Sequence, residues 1–116
     1  MKIGVLTVLM SGDPLEKVLD FLAESGVEAV ELGTGNYPGG AHCDPDKLLE
    51  SDKARKDLLK AVEKRGLIIS ALSCHGNPLH PNRDFAQGQH ETHRKTVMLA
   101  QKLGLEIVPV VVLDHL

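Results

Sequence analysis

Three times in this chain a helical stretch gives way to an apolar run across a single glycine. The junctions are Ser25-Gly26-Val27, Arg65-Gly66-Leu67 and Leu103-Gly104-Leu105. Glycine after a helix adopts at little cost the left-handed conformation that ends it. The runs that follow are short and rich in valine, leucine and isoleucine, as strands buried on both faces are. Helix, glycine and strand in repetition mean successive βα units. Such units specify a parallel sheet with right-handed crossovers.

The elements fall around those junctions. Strands are expected at residues 2–8, at Val27–Leu32, at Leu67–Ser73 and at Leu105–Leu113. The first helix opens at Asp13-Pro14-Leu15-Glu16, with Asp13 as cap, Pro14 at the first helical position and Glu16 closing a capping box. Its apolar stripe is Leu15, Val18, Leu19 and Leu22. Asp44-Pro45 opens a short helical turn. Ser51 caps the next helix, with Ala54, Leu58, Ala61 and Val62 facing inward. The last helix runs from about Asp84 to Leu103, with Val97, Ala100 and Leu103 inward.

A chain of 116 residues makes one small domain, and no linker, charge block or low-complexity tract divides 1–116. Two α/β architectures suit four strands in this order: an open doubly wound sheet, or half of a (β/α)₈ TIM barrel. The first strand is followed by Thr7-Val8-Leu9-Met10-Ser11-Gly12, which has neither a G-x-G-x-x-G turn nor a Walker lysine. The half barrel is therefore preferred. A formal net charge of -3 speaks against a general nucleic-acid binder, which needs a basic face. No apolar run approaches the roughly 20 residues of a membrane span, and the short apolar start suits a strand better than a signal peptide. With no C-x-x-C pattern and no export signal, Cys43 and Cys74 are expected as reduced thiols of a cytoplasmic protein.

Ligands of parallel α/β folds bind at the carboxyl ends of the strands. The loop after the third strand, Cys74-His75-Gly76-Asn77-Pro78-Leu79-His80-Pro81, carries a thiol, two imidazoles and a carboxamide, and glycine and two prolines stiffen it. His75 directly follows the strand, where a side chain is held by the sheet and faces the pocket. A neutral imidazole can bind a sugar hydroxyl, ligate a metal or move a proton. Asn77 is either a substrate contact or the head of an Asx-turn. His80 is a further candidate. Glu31, a carboxylate in an otherwise apolar strand, is either a polar group of the barrel mouth or a strand-end carboxylate paired with a base. His42, in the glycine-rich loop after the second strand, either meets substrate or is an exposed loop residue. His90 and His93 have metal-compatible i, i+3 spacing without a third ligand nearby, and His93 is read as a satisfied interior histidine.

Two stretches together carry a resemblance. One is Val30-Glu31-Leu32-Gly33-Thr34-Gly35-Asn36-Tyr37-Pro38-Gly39 with Ala41-His42-Cys43-Asp44. The other is Ala71-Leu72-Ser73-Cys74-His75-Gly76-Asn77-Pro78-Leu79-His80-Pro81. They resemble the sugar phosphate isomerase/epimerase group of the xylose-isomerase-like barrel superfamily, which also contains endonuclease IV. The resemblance runs from about Lys2 to Val108. It implies a TIM barrel whose mouth holds a divalent ion (manganese, magnesium, cobalt or zinc) and which moves a proton beside a sugar carbonyl. Its partner would be a sugar or sugar phosphate, with Glu31, His42, His75, Asn77 and His80 on the substrate side. By position His75 also matches a zinc-ligating histidine of endonuclease IV. The next such histidine would fall near Val111, so His75 is placed with the substrate first and with a metal second.

The isomerase carboxylates come from strands later than the fourth, so this chain alone is expected to be inactive. From Pro109 the likeness stops, as a truncation or frameshift would make it stop. Asp114 and His115 are not expected to form a metal pair. An inner sheet face of apolar side chains, at about 1.5–3 kcal/mol each, would stay wet and drive self-association. Rival readings are a non-catalytic half barrel that associates as a structural module, and a DNA-repair relative of endonuclease IV.

Overall fold

The computed structural model describes residues 1–109. Strand β1 (Gly4–Leu6) passes into a 3₁₀ turn (Thr7–Met10) and helix α1 (Leu15–Glu24). Strand β2 (Ala29–Gly33), the short helix α2 (Pro45–Glu50) and helix α3 (Asp52–Glu63) follow, then strand β3 (Ile68–Ser73) and helix α4 (Arg83–Leu103). The strands form a parallel sheet in the order β1-β2-β3. This is the expected α/β class and a part of a TIM-barrel-type fold.

The glycine junctions behave as the pattern requires. Gly26, Gly66 and Gly104 have φ of 81°, 73° and 74°. Three of the caps are side chains accepting a backbone N–H: Asp44 from Asp46, Ser51 from Ala54, and Asn82 from Phe85. The cap expected from Asp13 does not form. Pro14 takes the cap position of α1 without a side-chain bond, and Asp13 instead receives the Lys17 ammonium at 3.2 Å. A one-turn interaction with an exposed lysine replaces the capping box, and the helix starts one residue later than the box would set it.

One face of the sheet makes the core. Val30, Leu32 and Leu72 are fully buried there, beneath Val18, Leu19 and Leu22 of α1, Leu58 and Val62 of α3, and Leu99 and Leu103 of α4. Val97 does not join them and is 47% exposed. The helix turns Thr96, Leu99, Ala100 and Leu103 inward, so the true stripe starts one residue before the expected one. The reason is chemical: a threonine hydroxyl finds buried partners on the loop after β2, described below, and its position reads as polar in a hydrophobicity pattern.

The opposite face would line the interior of a barrel. The strand register places Gly4, Leu6, Ala29, Glu31, Gly33, Ile68, Ala71 and Ser73 on it. Only Leu6 and Ile68 are large and apolar. The expectation of a broad apolar inner face is thus corrected, since glycine, alanine and serine occupy most of it. Pro38 and Gly39 fold back over Gly33 so closely that a Cβ there would overlap both.

The fourth strand is present only in part. The backbone N–H of Leu72 donates to Ile107 at 3.3 Å, and that of Cys74 to Pro109 at 3.4 Å. In a parallel ladder the donor between these two acceptors would be the amide of residue 109. Proline has none, so the ladder loses its middle bond and no regular strand forms over 105–109. The remainder of the expected strand, with Val111, Asp114 and His115, lies outside the described residues.

Candidate functional site at the carboxyl ends of the strands

Glu31 stands on the inner face of the central strand, opposite Leu6 on one side and Ala71 on the other. It is half-buried, and among the described residues its carboxylate has no hydrogen bond or ion pair. The alternative of a carboxylate paired with lysine or arginine is therefore not what the described residues contain. Ser73, further along the same face, is wholly buried, and its Oγ also has no partner there.

His75 joins them. Asn36 Nδ2 contacts the Cys74 sulfur, and a Cβ on Gly76 would overlap Asn36 Nδ2 and Gln89 Oε1. Residues 74 and 76 therefore face α4, and by alternation the residue between them faces the barrel interior. The chain is held in this extended course by Thr34 N–H donating to Ser73 O at 3.0 Å and Tyr37 N–H donating to His75 O at 2.8 Å. Glu31, Ser73 and His75 thus share the inner side at the carboxyl end.

His42 is placed differently. Its Nε2 lies 2.8 Å from the Asp13 carbonyl, which can only accept, so Nε2 carries a proton. Its Nδ1 lies 3.0 Å from the Thr7 hydroxyl. Both ring nitrogens are thereby engaged in tying the loop after β2 to the loops around the first 3₁₀ turn. The ring borders a small recess with Thr7, Ser11, Gly33 and Pro38.

Asn77 and His80 lie on the outer rim, along α4. Asn77 is 3% exposed and heads an Asx-turn, accepting the Leu79 N–H at 3.1 Å, while its own N–H donates to Gln89 Oε1. The His80 Nδ1 accepts the Asn82 N–H at 3.0 Å, and the ring packs on Phe85 with centroids 4.7 Å apart. The five residues singled out from the sequence thus divide among three places: the inner face, the β1–β2 recess and the α4 rim.

Neither cysteine is poised for nucleophilic chemistry. Burial, with a smaller push from the Asp44 charge, raises the Cys43 thiol to about 12. Burial also raises Cys74, against hydrogen bonds from Thr96, Thr34 and Asn36 that favour the thiolate. His93 is not the satisfied interior residue expected, because its Nδ1 is buried without a partner among the described residues. No three histidine, cysteine or acidic side chains among the described residues stand close enough to hold a metal ion. No described helix is long and apolar enough to cross a membrane.

Residues that the sequence did not single out also build this end. Asn36 holds a left-handed backbone at φ 56°, and its side chain bridges Cys74 and the Gln89 carbonyl. The Gly35-Asn36 pair is a signal for that conformation. Gln89 carries no local signal, since an exposed-type helix position says nothing of what it meets.

No family model matches the chain. It is similar to the "Uncharacterized protein YfiH" of Bacillus subtilis (strain 168), with 35% identity over 108 residues, covering 93% of this chain and 34% of that protein. Among solved structures it is similar to the probable 3-DHS dehydratase AsbF involved in petrobactin synthesis from Bacillus anthracis, with a TM-score of 0.63 and 19% identity over 95% of this chain and 38% of that one. It is also similar to protein SMc04130 from Sinorhizobium meliloti 1021, with a TM-score of 0.62 and 14% identity over 96% of this chain and 36% of that one. The chain therefore spans little more than a third of the length of these relatives. The structural likeness is one of fold, and that fold is part of a TIM-barrel-type architecture.

Proposed function

We propose that the inner face of this chain supplies one side of a sugar-binding barrel mouth, in a protein of the sugar or sugar phosphate isomerase/epimerase kind. The observation that carries the reading is the Glu31 carboxylate, half-buried in the central strand and without a hydrogen bond or ion pair among the described residues. A carboxylate held there costs stability unless a ligand meets it. Vicinal hydroxyls of a sugar are suitable donors, since two carboxylate oxygens can accept from both at once. The inner side at His75 offers further polar contact on the same face. His42 braces the loops that shape the mouth, and Asn77 and His80 shape its rim.

A divalent ion at the mouth belongs to this proposal as an expectation of the resemblance. The described residues do not by themselves fit one, because no three histidine, cysteine or acidic side chains among them stand close enough to hold it. Their part is to bind and orient the substrate. The reaction, the choice of sugar and a cytoplasmic location are part of the same proposal.

The test is made with the full-length protein, loaded in turn with manganese, magnesium, cobalt and zinc, against ketoses and ketose phosphates. Glu31→Gln is expected to weaken sugar binding about tenfold or more, as loss of a charge-assisted hydrogen bond of about 1.5–3 kcal/mol requires. Unchanged binding in that variant would remove Glu31 from the site and with it the reading.

A further inference from the structure

A separate pocket lies on the outer rim, between the loop after β2, the loop after β3 and the start of α4. It has a volume of about 250 Å³ and is lined by Asn36, Tyr37, Gly76, Asn77, Phe85 and Gln89. No carboxylate or cationic side chain lines it. Two of the chain's three phenylalanine and tyrosine residues stand here, Tyr37 74% exposed and Phe85 46% exposed.

The three carboxamides of this pocket are each fixed at one end. Asn36 Nδ2 donates to the Gln89 carbonyl at 3.1 Å and to the Cys74 sulfur at 3.2 Å. Asn77 Oδ1 accepts from Leu79 N–H, and Gln89 Oε1 accepts from Asn77 N–H, both at 3.1 Å. Because each amide has one backbone partner with a single possible role, these bonds set which end of each amide is oxygen and which is nitrogen. The opposite ends have no hydrogen bond among the described residues. They are one acceptor, Asn36 Oδ1, and two amino groups, Asn77 Nδ2 and Gln89 Nε2. The arrangement depends on Gly76, since any side chain there would displace both Gln89 and Asn36.

We infer that this rim pocket binds a neutral carbohydrate unit, separately from the mouth that holds Glu31. The ligand must be uncharged, because nothing here balances a charge. It must offer acceptors to two amino groups and a donor to one carbonyl, and a hydroxyl does both. It must also present an apolar face to Tyr37 and Phe85, as the C–H face of a pyranose does. The size suits one monosaccharide, being below the usual range of drug-sized pockets. Amide ends already anchored at their other atoms lose little freedom on binding. The pocket shares the sugar chemistry of the proposed function but does not rest on it, because its ligand needs no carbonyl and no metal.

The experiment is a titration of the full chain with neutral methyl pyranosides, which cannot isomerise, followed through the side-chain amide resonances of Asn77 and Gln89. Both are expected to shift on binding. Gly76→Ala should abolish the shifts, and Tyr37→Ala, at an exposed position that does not carry the fold, should weaken binding about 3- to 10-fold. Glu31→Gln should leave them intact, which separates this site from the mouth. Absence of shifts with every pyranoside, shifts with adenosine in their place, or shifts that survive both Gly76→Ala and Tyr37→Ala would each overturn the inference.

Discussion

The hydroxyls of Thr34 and Thr96 lie 2.6 Å apart in a fully buried contact that joins the loop after β2 to the middle of α4. Thr34 Oγ1 also reaches Ser73 O at 3.2 Å, and Thr96 Oγ1 reaches Thr92 O at 2.9 Å. Both hydroxyls also act on the Cys74 thiol, so two hydroxyl protons are shared among more contacts than two, in a short chain in which each bond polarises the next. No carbonyl is left orphaned, because Ser73 O also accepts the Thr34 N–H. This contact sets the rotation of α4 and hence the positions of Gln89 and the rim.

Thr34→Val and Thr96→Val are each expected to cost about 1 kcal/mol, and the double variant less than their sum. Once one hydroxyl is gone, the other has lost half its reason to be there. Urea denaturation of the four proteins measures the coupling. Additivity within about 0.3 kcal/mol would show that the two hydroxyls act independently.

Stability is expected to fall in alkali through Cys43. Burial pushes the folded-state thiol up to about 12, from an ordinary value of 9.0. Between these values the unfolded chain has released its proton while the folded chain keeps it, so the unfolded state is favoured as pH rises. The contribution is fully present below about pH 9 and is lost through about pH 12, on the order of 4 kcal/mol in total. Cys43→Ala should flatten the alkaline limb of a stability-versus-pH curve. The native protein should also resist thiol alkylation at pH 8 and react only once unfolded.

Glu31→Gln should raise the stability of the free chain while weakening sugar binding. Removing an unpaired charge from a half-buried strand position relieves desolvation, and such gains run to about 0.5–2 kcal/mol. A binding site held at a cost to folding gives this opposite response. Thermal unfolding of the two proteins decides it, and a destabilised variant would point to a structural partner for the carboxylate.

Association of the chain is expected through the inner face and the β1 edge. Ile68 is 44% exposed on that face, and β1 has only β2 beside it among the described residues. Open edges and uncovered apolar side chains invite pairing. Light scattering should show concentration-dependent growth in mass that Ile68→Lys reduces. A monomer at all concentrations would contradict this expectation.

The sequence by itself determined the order of elements and the parallel sheet. Gly26, Gly66 and Gly104 and the caps Asp44 and Ser51 act within a few residues of themselves, and the buried strands are apolar in consecutive runs. Those are local properties, and local chemistry suffices to read them. It failed at Asp13, where an equally local lysine competed for the carboxylate, and at Val97, where a buried threonine disguised the true face of α4. The site was legible only as a set of polar residues at strand ends. Which of them share a side was decided by register: one residue along the chain separates His75, on the inner face, from Cys74 and Gly76 beneath α4. The rim pocket was not legible at all. Asn36, Asn77 and Gln89 are up to 53 residues apart. Their amides face one another only because the sheet and α4 bring those distant stretches together, and no local pattern encodes a meeting of that kind.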